Sequence, residues 1–457
     1  MLRIFRHHIP KILILTIVGD LAVVVGSVAF AHGWGEWLGE GPIWPKIAGL
    51  AATTMLLLYL ADLYNVHIRL GGGELVLRLG LVSASAAVLT AAFGYAIPPL
   101  RFGRTAFFMI TGLATLGLLA FRLTSSRFGS YERLQKRVLV LGTGLAGVIT
   151  SYEGQHSALP FKILGFLDDD PTAHDNLPPG YDLLGKAKEL LGVAEKLRPD
   201  ILLVALTNMR GAFPVDEILE CRFRGVRVEE WPTFYERLTG KIFVNRLRPS
   251  WLIFADGTVK TRLTETIKRA FDVVLSFMGL ILSAPFMGLA AICIKLDSPG
   301  PVLFRQQRVG KDGQVFVLYK FRSMCVDAEH ITGPVWASED DPRVTHVGRV
   351  LRKIRFDEVP QMFNVLMGNM SFIGPRPERP IFVTQLKEQI PFYILRFSVK
   401  PGITGWAQVK YQYGSTVEDA MEKLQYDLYY IKNMSVFLDL LILLNSLRVV
   451  LLSRGAR

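Results

Sequence analysis

Four long apolar stretches occupy the first 122 residues of this 457-residue chain, and they constrain its fold more than any other feature. They cover residues 12–32, 47–63, 79–97 and 106–121. A helix of about 20 apolar residues crosses a hydrocarbon core about 30 Å thick, so each stretch predicts a membrane-spanning helix. We therefore predict a membrane protein in which residues 1–125 form a four-helix transmembrane bundle.

The composition agrees with a membrane protein. Half of the residues are hydrophobic, the mean hydropathy is +0.31, and the formal net charge is +12. Cationic residues beside apolar segments favour anionic lipids and anionic substrates as partners. Because the Lys and Arg residues flank apolar segments along the whole chain, we predict membrane lipid as a partner and no nucleic acid.

The distribution of Lys and Arg predicts the orientation of the bundle. Arg3, Arg6 and Lys11 precede the first apolar stretch, five cations follow the fourth, and the first connecting loop carries only Lys46. Both ends of the bundle are therefore predicted to be cytoplasmic. Asp20 lies inside the first stretch, where an acid either has a function or hydrogen-bonds to a neighbouring helix, and both interpretations stay open.

Residues 132–232 have a different pattern, in which strands alternate with helices. The segments RVLVLGTGLAG, ILGFLDDD, DILLVAL and VRVEEW read as strands, so the pattern predicts an α/β Rossmann-like domain with a parallel sheet. Gly142, Gly144 and Gly147 form a GxGxxG motif after a strand, and Asp168 is a candidate for the acid that binds a ribose. This domain either binds a nucleotide or has a structural role, such as forming a homodimer. A linker is predicted at 233–262.

A fifth apolar run, residues 273–294, opens a third domain at 263–457. Cations flank the run on both sides, which favours the cytoplasmic face for both of its ends. Pro285 lies inside the run and removes a backbone donor, and the Ser283 hydroxyl is a candidate partner for the freed carbonyl. We predict a re-entrant helix over 270–294, broken at Pro285, in a mixed α+β domain.

The third domain carries the residues that indicate chemistry. Asp357 and Glu358 directly precede a helical pattern with Pro360 in its first turn. Acids at a helix start commonly serve as caps, but adjacent carboxylates among cations also suit a divalent metal together with a nucleophile. Six cations are candidates for phosphate binding: Lys320, Arg322, Arg352, Lys353, Arg376 and Arg379.

Seven segments in sequence order give residues 268–457 a specific resemblance. They are KRAFDVVLS, LILSAPFM, SPGPVLFRQQRVG, FVLYKFRSM, LRKIRFDEVPQMFNVLMGNMSFIGPRPERP, KPGITGWAQV and YDLYYIKN. This region resembles the bacterial sugar transferase family, the polyprenol-phosphate phosphoglycosyl transferases with one re-entrant membrane helix. The whole chain resembles the long members of that family. Many members have Ser directly before the helix-breaking Pro, whereas Ala284 separates Ser283 from Pro285 here.

The resemblance implies a function and a mechanism. Asp357 would attack the β-phosphate of a UDP-sugar and release UMP, and undecaprenyl phosphate would then take the phosphosugar from Asp357. Glu358 would help to hold Mg²⁺. The sugar would be glucose or galactose, and the reaction would be the first membrane step of exopolysaccharide or O-antigen synthesis, at the cytoplasmic face of the bacterial inner membrane.

The sequence leaves two other function classes open. The GxGxxG motif makes a membrane-tethered NAD-dependent sugar-nucleotide dehydratase or epimerase the first alternative. Those enzymes generally use a Tyr-x-x-x-Lys pair, and none of the 14 tyrosines in this chain has Lys four residues later. The second alternative, a non-catalytic scaffold for polysaccharide export, requires the Asp–Glu pair to be dispensable.

Overall fold

The computed structural model describes residues 2–4, 7–9, 11–33, 42–65, 71–128, 135–144, 161–170, 173, 177, 179–206, 213–244, 261–326, 343–411, 414 and 416–451. Apart from the first few residues, this part of the chain forms two compact units, divided between Trp231 and Pro232. Two short strands, β1 (Leu2–Ile4) and β2 (His7–Ile9), precede the first helix.

Four long apolar helices form the N-terminal part of the first unit: α1 (Lys11–Gly33), α2 (Ile43–Leu60), α3 (Gly72–Ala96) and α4 (Arg104–Phe128). All four contribute to one buried apolar cluster, which includes Val28, Leu58, Leu79 and Ile110. Each is long and apolar enough to cross a membrane. The predicted apolar helices are confirmed.

Asp20 lies on α1 and pairs with Arg122 on α4. The Arg122 guanidinium donates to both carboxylate oxygens of Asp20, at 3.2 and 2.5 Å, and also to the carbonyl of Leu63 at 2.7 Å. The Asp20 side chain is fully buried. Of the two interpretations left open by the sequence, the contact between helices is the one that the structure contains.

A five-stranded parallel sheet completes the first unit. Its strands are β3 (Lys136–Leu141), β4 (Phe161–Leu167), β5 (Leu183–Gly185), β6 (Ile201–Val204) and β7 (Arg227–Glu230), in the spatial order β5-β4-β3-β6-β7. The helices α5 (Leu190–Leu197) and α6 (Val215–Phe223) connect strands. Central strands such as β6 are buried along their whole length, as parallel strands covered on both faces are. The predicted α/β domain with a parallel sheet is confirmed.

Helix α7 (Trp231–Thr239) follows β7 without an intervening residue, and from Pro232 onward it belongs to the second unit. Ile242 and Val244, just after α7, lie in the main apolar core of that unit, with 3% and 2% of their surface exposed. Residues 233–244, which are part of the segment predicted as a linker, therefore pack within the second unit.

Helix α8 (Arg262–Asp297) covers the fifth apolar run and begins at a Thr261 cap, whose hydroxyl accepts from the amide of Thr264. Its 36 residues are helical throughout, and Pro285 lies inside the helix. The prediction that Pro285 interrupts the helix is therefore wrong. The Ser283 hydroxyl donates to Gly279 O at 2.6 Å, two residues before Ile281, whose carbonyl Pro285 leaves without its usual amide donor.

The rest of the second unit combines short strands and helices. The antiparallel strands β8 (Leu303–Val309) and β9 (Val315–Phe321) form a hairpin, and β10 (Ser371–Ile373) pairs in parallel with β11 (Gly402–Thr404). The remaining helices are α9 (His346–Lys353), α10 (Gln361–Met367), α11 (Pro380–Gln389), α12 (Trp406–Lys410), α13 (Val417–Asn433) and α14 (Val436–Leu451).

Candidate active site

Asp357 and Glu358 lie in a 3₁₀ turn, Phe356–Glu358, between α9 and α10. Arg355 enters this turn in the left-handed conformation, with φ of 59°. The Phe356 ring stacks on Phe321 at the end of β9, with ring centroids 6.0 Å apart and planes 5° from parallel. The backbone bend and the stacked ring together turn both carboxylates inward, and both are buried.

Glu358 is held by two cations from different elements. Lys320 Nζ, on β9, donates to Oε1 at 2.8 Å, and Arg376 Nη2 donates to the same oxygen at 2.7 Å. Burial disfavours the charged carboxylate, but the charges of Arg376 and Lys320 outweigh it and hold the pKa of Glu358 well below its ordinary value. Glu358 is therefore an ionised carboxylate that orients two cations.

Asp357 has a different environment from its neighbour. Within the part of the chain that the structure describes, no group hydrogen-bonds to the Asp357 carboxylate. Burial raises the pKa of Asp357, Glu358 adds to that effect, and the charges of Lys320, Arg352 and Arg376 offset only part of it. Two adjacent carboxylates thus have pKa values shifted in opposite directions, a pattern found where groups carry out chemistry.

Arg376 belongs to a loop, Gly374–Arg379, that is fixed by hydrogen bonds from outside the loop. Four consecutive backbone carbonyls of this loop each accept one hydrogen bond from a different residue. The pairs are Gly402 N to Pro375 O at 2.9 Å, Arg396 Nη2 to Arg376 O at 3.1 Å, Arg308 Nη1 to Pro377 O at 2.9 Å, and Val309 N to Glu378 O at 2.9 Å. Such anchoring holds the Arg376 guanidinium on Glu358 without any regular secondary structure.

Two of these anchors, Arg308 and Arg396, were missed by the sequence-based prediction. Burial lowers the pKa of Arg308 to about 10, with Glu378 opposing that change. Arg396 is buried and donates to Asp427 Oδ2 at 2.9 Å, and burial raises the pKa of Asp427 to about 6, although Arg396 opposes it. Arg308 stands in the quoted motif FRQQRVG, which was the one available signal. Arg396 and Asp427 are 31 residues apart, and no local pattern joins them.

The predicted phosphate-binding cations lie at different places in the structure. Lys320 and Arg376 lie at the carboxylate pair, and Arg352 donates to Ser323 Oγ at 2.9 Å while its charge acts on Asp357. Lys353 is exposed on α9, and the Arg379 guanidinium lies 5.9 Å from the centre of the Phe382 ring.

Arg322 requires a correction. Its buried guanidinium donates to the backbone carbonyls of Ile294, Ser298 and Pro299, at and just beyond the C-terminal end of α8. A cation suits this end of a helix, where unpaired carbonyls concentrate partial negative charge. The structure therefore gives Arg322 a role in fixing α8 and not a place in the phosphate site.

The glycine-rich motif lies at the carboxyl end of the parallel sheet. Gly142 has φ of 107°, and a side chain there would come within 2.8 Å of the backbone at Ala205. Asp168 Oδ2 accepts from both the amide and the hydroxyl of Thr143, at 2.6 and 2.7 Å, so this acid fastens the turn that contains Gly144. Gly147 lies outside the described residues. Nucleotide binding by this domain stays a prediction.

A metal site was also predicted, with Glu358 as a ligand. Among the described residues, no group of three or more His, Cys, Asp or Glu side chains is arranged to hold an ion. Mg²⁺ in phosphate-transferring sites is commonly held by one or two carboxylates, substrate phosphates and water. Among the described residues, Glu358 Oε1 accepts from two cations, and Oε2 accepts only from Arg376 Nη1, at 3.4 Å. Oε2 and the adjacent Asp357 are thus the atoms that fit such an ion.

Comparison with known proteins places the chain in a family. The sequence profile described as "Bacterial sugar transferase" matches residues 263–453. The Aeromonas hydrophila UDP-N-acetylgalactosamine-undecaprenyl-phosphate N-acetylgalactosaminephosphotransferase is 43% identical over 240 residues, which are 52% of this chain and 56% of that protein. The Komagataeibacter xylinus undecaprenyl-phosphate glucose phosphotransferase is 34% identical over 333 residues, which are 71% of this chain and 61% of that protein.

A shorter relative is matched over nearly its whole length. The Rhizobium leguminosarum bv. phaseoli exopolysaccharide production protein PSS is 41% identical over 194 residues, which are 41% of this chain and 96% of that protein. The chain belongs to the bacterial sugar transferase family, which confirms the resemblance found in the sequence motifs. The matches to the two longer relatives cover less than two thirds of each of those proteins.

Proposed function

We propose that this protein transfers a sugar-1-phosphate from a UDP-sugar to undecaprenyl phosphate and releases UMP. The observation that carries the proposal is the pair of buried carboxylates. Among the described residues, no group hydrogen-bonds to Asp357, and the cations Lys320 and Arg376 converge on Glu358 beside it. A carboxylate nucleophile divides one difficult transfer into two easier steps. The names of the relatives, which are undecaprenyl-phosphate sugar phosphotransferases, support the same reaction.

In the first step, an oxygen of Asp357 attacks the β-phosphorus of the UDP-sugar. The bond from that phosphorus to the bridging oxygen breaks, and UMP leaves with the bridging oxygen and the electron pair. The phosphosugar is then an acyl phosphate on Asp357. Lys320 and Arg376 stand where they neutralise charge that develops on the transferred phosphoryl group.

In the second step, a phosphate oxygen of undecaprenyl phosphate attacks the same phosphorus. The bond between Asp357 and phosphorus breaks, the carboxylate is restored, and the lipid leaves with a diphosphate-linked sugar. Mg²⁺, held by Glu358 Oε2 with Asp357 and the substrate phosphates, would supply further charge neutralisation.

The contacts of α8 support a location at one face of the membrane. In the first half of α8, Arg269 donates to the carbonyls of Val365 and Leu366 on α10. In the second half, Asp297 accepts from the amide of Val347 on α9. The side away from these contacts is exposed and apolar over much of the helix: Val274, Phe277, Ile281, Phe286, Leu289 and Ile292. A helix that crossed the bilayer would carry one end away from the domain that both halves contact.

We therefore propose that α8 bends at Pro285 without losing its helical backbone, and so enters and leaves the membrane by the same face, with its apolar side toward lipid. In the proposed orientation that face is the cytoplasmic face of the bacterial inner membrane, where soluble UDP-sugar meets the lipid phosphate. The reaction would begin an exopolysaccharide or O-antigen repeat, in line with the name of the Rhizobium relative. We also propose that two copies of this chain form a homodimer.

We propose glucose or galactose as the sugar. N-acetylgalactosamine is a third candidate, because the name of the Aeromonas relative contains it. The test is release of UMP by the purified full chain with Mg²⁺ and undecaprenyl phosphate. UDP-glucose, UDP-galactose and UDP-N-acetylgalactosamine are compared at equal concentration. We expect one of them to give turnover at least tenfold above the others. A folded protein that releases UMP from none of the three would contradict the proposal.

A further inference from the structure

The second compact unit begins before the region that matches the family. The family profile starts at residue 263, whereas the unit starts at Pro232. Residues 232–244, which we call the α7 segment, therefore lie outside the matched profile. Ile242 and Val244 of this segment are buried in the same core as Leu424 and Leu428 of α13.

Polar contacts attach the α7 segment to α13. Glu236 accepts from Lys432 Nζ at 2.8 Å through one carboxylate oxygen and from Asn433 Nδ2 at 3.0 Å through the other. Lys241 donates to Glu422, one turn before Gln425, whose carbonyl accepts from the amide of Ile242 at 3.0 Å. The segment thus binds α13 at both ends of a stretch of about three helical turns.

Trp406 provides a third attachment, from the neighbouring helix α12. Its indole Nε1 donates to Gly240 O at 2.7 Å. Gly240 has φ of 67°, and a Cβ there would lie 3.2 Å from the Trp406 ring. A residue with a side chain is strained in this conformation and crowded by the indole, so the close approach of the segment depends on glycine.

Helix α13 also supports the active site, through the side chain of Asp427. Asp427 accepts from Arg396, Arg396 donates to the carbonyl of Arg376, and the Arg376 guanidinium donates to Glu358. The distances along this path are 2.9, 3.1 and 2.7 Å. Glu236 is thus linked to Glu358 by direct hydrogen bonds at every step but one, and in that step helix α13 joins Lys432 and Asn433 to Asp427. Networks of direct contacts and rigid elements carry energetic coupling between distant sites.

We propose that the α7 segment is a positioning element for the active site, with Glu236 as its principal positioning residue. By fixing α13, Glu236 keeps Asp427 where it anchors Arg396, and so keeps Arg376 on Glu358. The inference rests on the proposed transferase function for its catalytic consequence. It also means that the chain leaving strand β7 of the preceding domain influences turnover, although it contains none of the catalytic residues.

The test uses the full chain in lipid nanodiscs and the substitution Glu236→Ala. Glu230→Gln is the matched control, since Glu230 is an exposed acid at the end of β7. Hydrogen exchange is followed in peptides covering 374–379 and 417–433, and UMP release is measured with the UDP-sugar that wild type uses. We expect faster exchange in both peptides and a roughly tenfold lower kcat with KM changed less than twofold. The control should match wild type in every measurement.

A charge reversal separates positioning from a general loss of packing. The double substitution Glu236→Lys with Lys432→Glu restores an ion pair of opposite polarity and should recover kcat to within about threefold of wild type, whereas each single reversal should not. Faster exchange confined to 232–244 and 417–433, with residues 374–379 and kcat unchanged, would overturn the proposal. If wild type releases no UMP from any UDP-sugar, the transferase function fails, and exchange at 374–379 alone decides whether the coupling exists.

Discussion

Arg376 Nη2 lies 2.7 Å from Glu358 Oε1, and the second nitrogen of the same guanidinium lies 3.4 Å from Oε2. The two residues are 18 positions apart, and the loop that carries Arg376 is held by hydrogen bonds from three other elements. The pair therefore links the turn that presents Asp357 to a rigidly anchored cation.

Replacement of Arg376 by Met should lower the rate of UMP release by about 10²- to 10³-fold, since a positioned charge next to the transferred phosphoryl group is lost. Arg379→Met is the matched control in the same loop, because the Arg379 guanidinium lies 5.9 Å from the centre of the Phe382 ring. It should cost much less. Equal losses for both substitutions would show that the loop acts only through its net charge.

Asp357→Asn should reduce UMP release by at least about a thousandfold, because an amide does not replace a carboxylate nucleophile. Asp312→Asn, in the exposed turn of the β8–β9 hairpin, is the control and should behave as wild type, since Asn tolerates the left-handed conformation at that position. The measurement includes mass spectrometry of the peptide that contains residue 357 after incubation with UDP-sugar alone. A sugar-phosphate adduct is expected in wild type and absent in Asp357→Asn.

The acid limb of the pH profile should report Asp357. Burial raises the pKa of this carboxylate above 3.8, and only its ionised form attacks, so turnover is lost as pH falls through that raised pKa. The charge of Lys320 lowers the same pKa. Lys320→Met should therefore move the acid limb to higher pH, and Lys311→Met, at an exposed turn, should not. Profiles are compared after scaling each to its own plateau. If the acid limb of the Lys320→Met profile lies at the same pH as in wild type, then Asp357 is not the group that produces it.

Both ends of α8 should be accessible from the same side of the membrane. In a protein without its three natural cysteines, Glu265→Cys and Lys295→Cys place single thiols at exposed positions near the two ends of the helix. Neither should react with a membrane-impermeant maleimide added outside spheroplasts, and both should react in inverted vesicles. Tyr95→Cys, at the exposed end of α3, is expected to show the opposite behaviour. Labelling of Glu265→Cys and Lys295→Cys from opposite sides would establish a plain transmembrane span.

Truncation before Pro232 should be tolerated better than truncation before residue 263. The shorter fragment lacks Ile242 and Val244, which are buried with Leu424, and leaves the Trp406 indole without its Gly240 acceptor. Loss of two buried aliphatic side chains costs several kcal/mol of the free energy of unfolding, about 1.5–3 kcal/mol for each. Fragment 232–457 should therefore unfold at a higher temperature and retain more UMP release than 263–457. Equal midpoints for the two fragments would contradict the assigned core.

Much of the fold followed from local pattern. The apolar stretches predicted α1–α4, and the alternation of strand and helix predicted β3, β4, β6 and β7. In each case one continuous apolar run forms one element, so the pattern is readable without knowledge of distant contacts. The motif around Asp357 was equally readable, because its residues lie within a few positions of each other.

The errors have a common physical origin. Pro285 suggested a broken helix because proline removes a donor, but helical backbone continues on both sides of it and α8 is fastened to α9 and α10 by Arg269 and Asp297. Arg322 looked like a phosphate ligand, yet the end of α8 offers its guanidinium a set of carbonyls. In both cases contacts with residues distant in sequence outweighed a local preference.

The sequence alone determined the class of protein, the apolar helices, the parallel sheet and the identity of the Asp357–Glu358 pair. Only the tertiary structure decided that Glu358 orients Lys320 and Arg376, and that no other described residue hydrogen-bonds to Asp357. The reason is that residue type and spacing specify local backbone and burial, whereas the pKa and availability of a carboxylate depend on charges brought from 18 and 38 residues away.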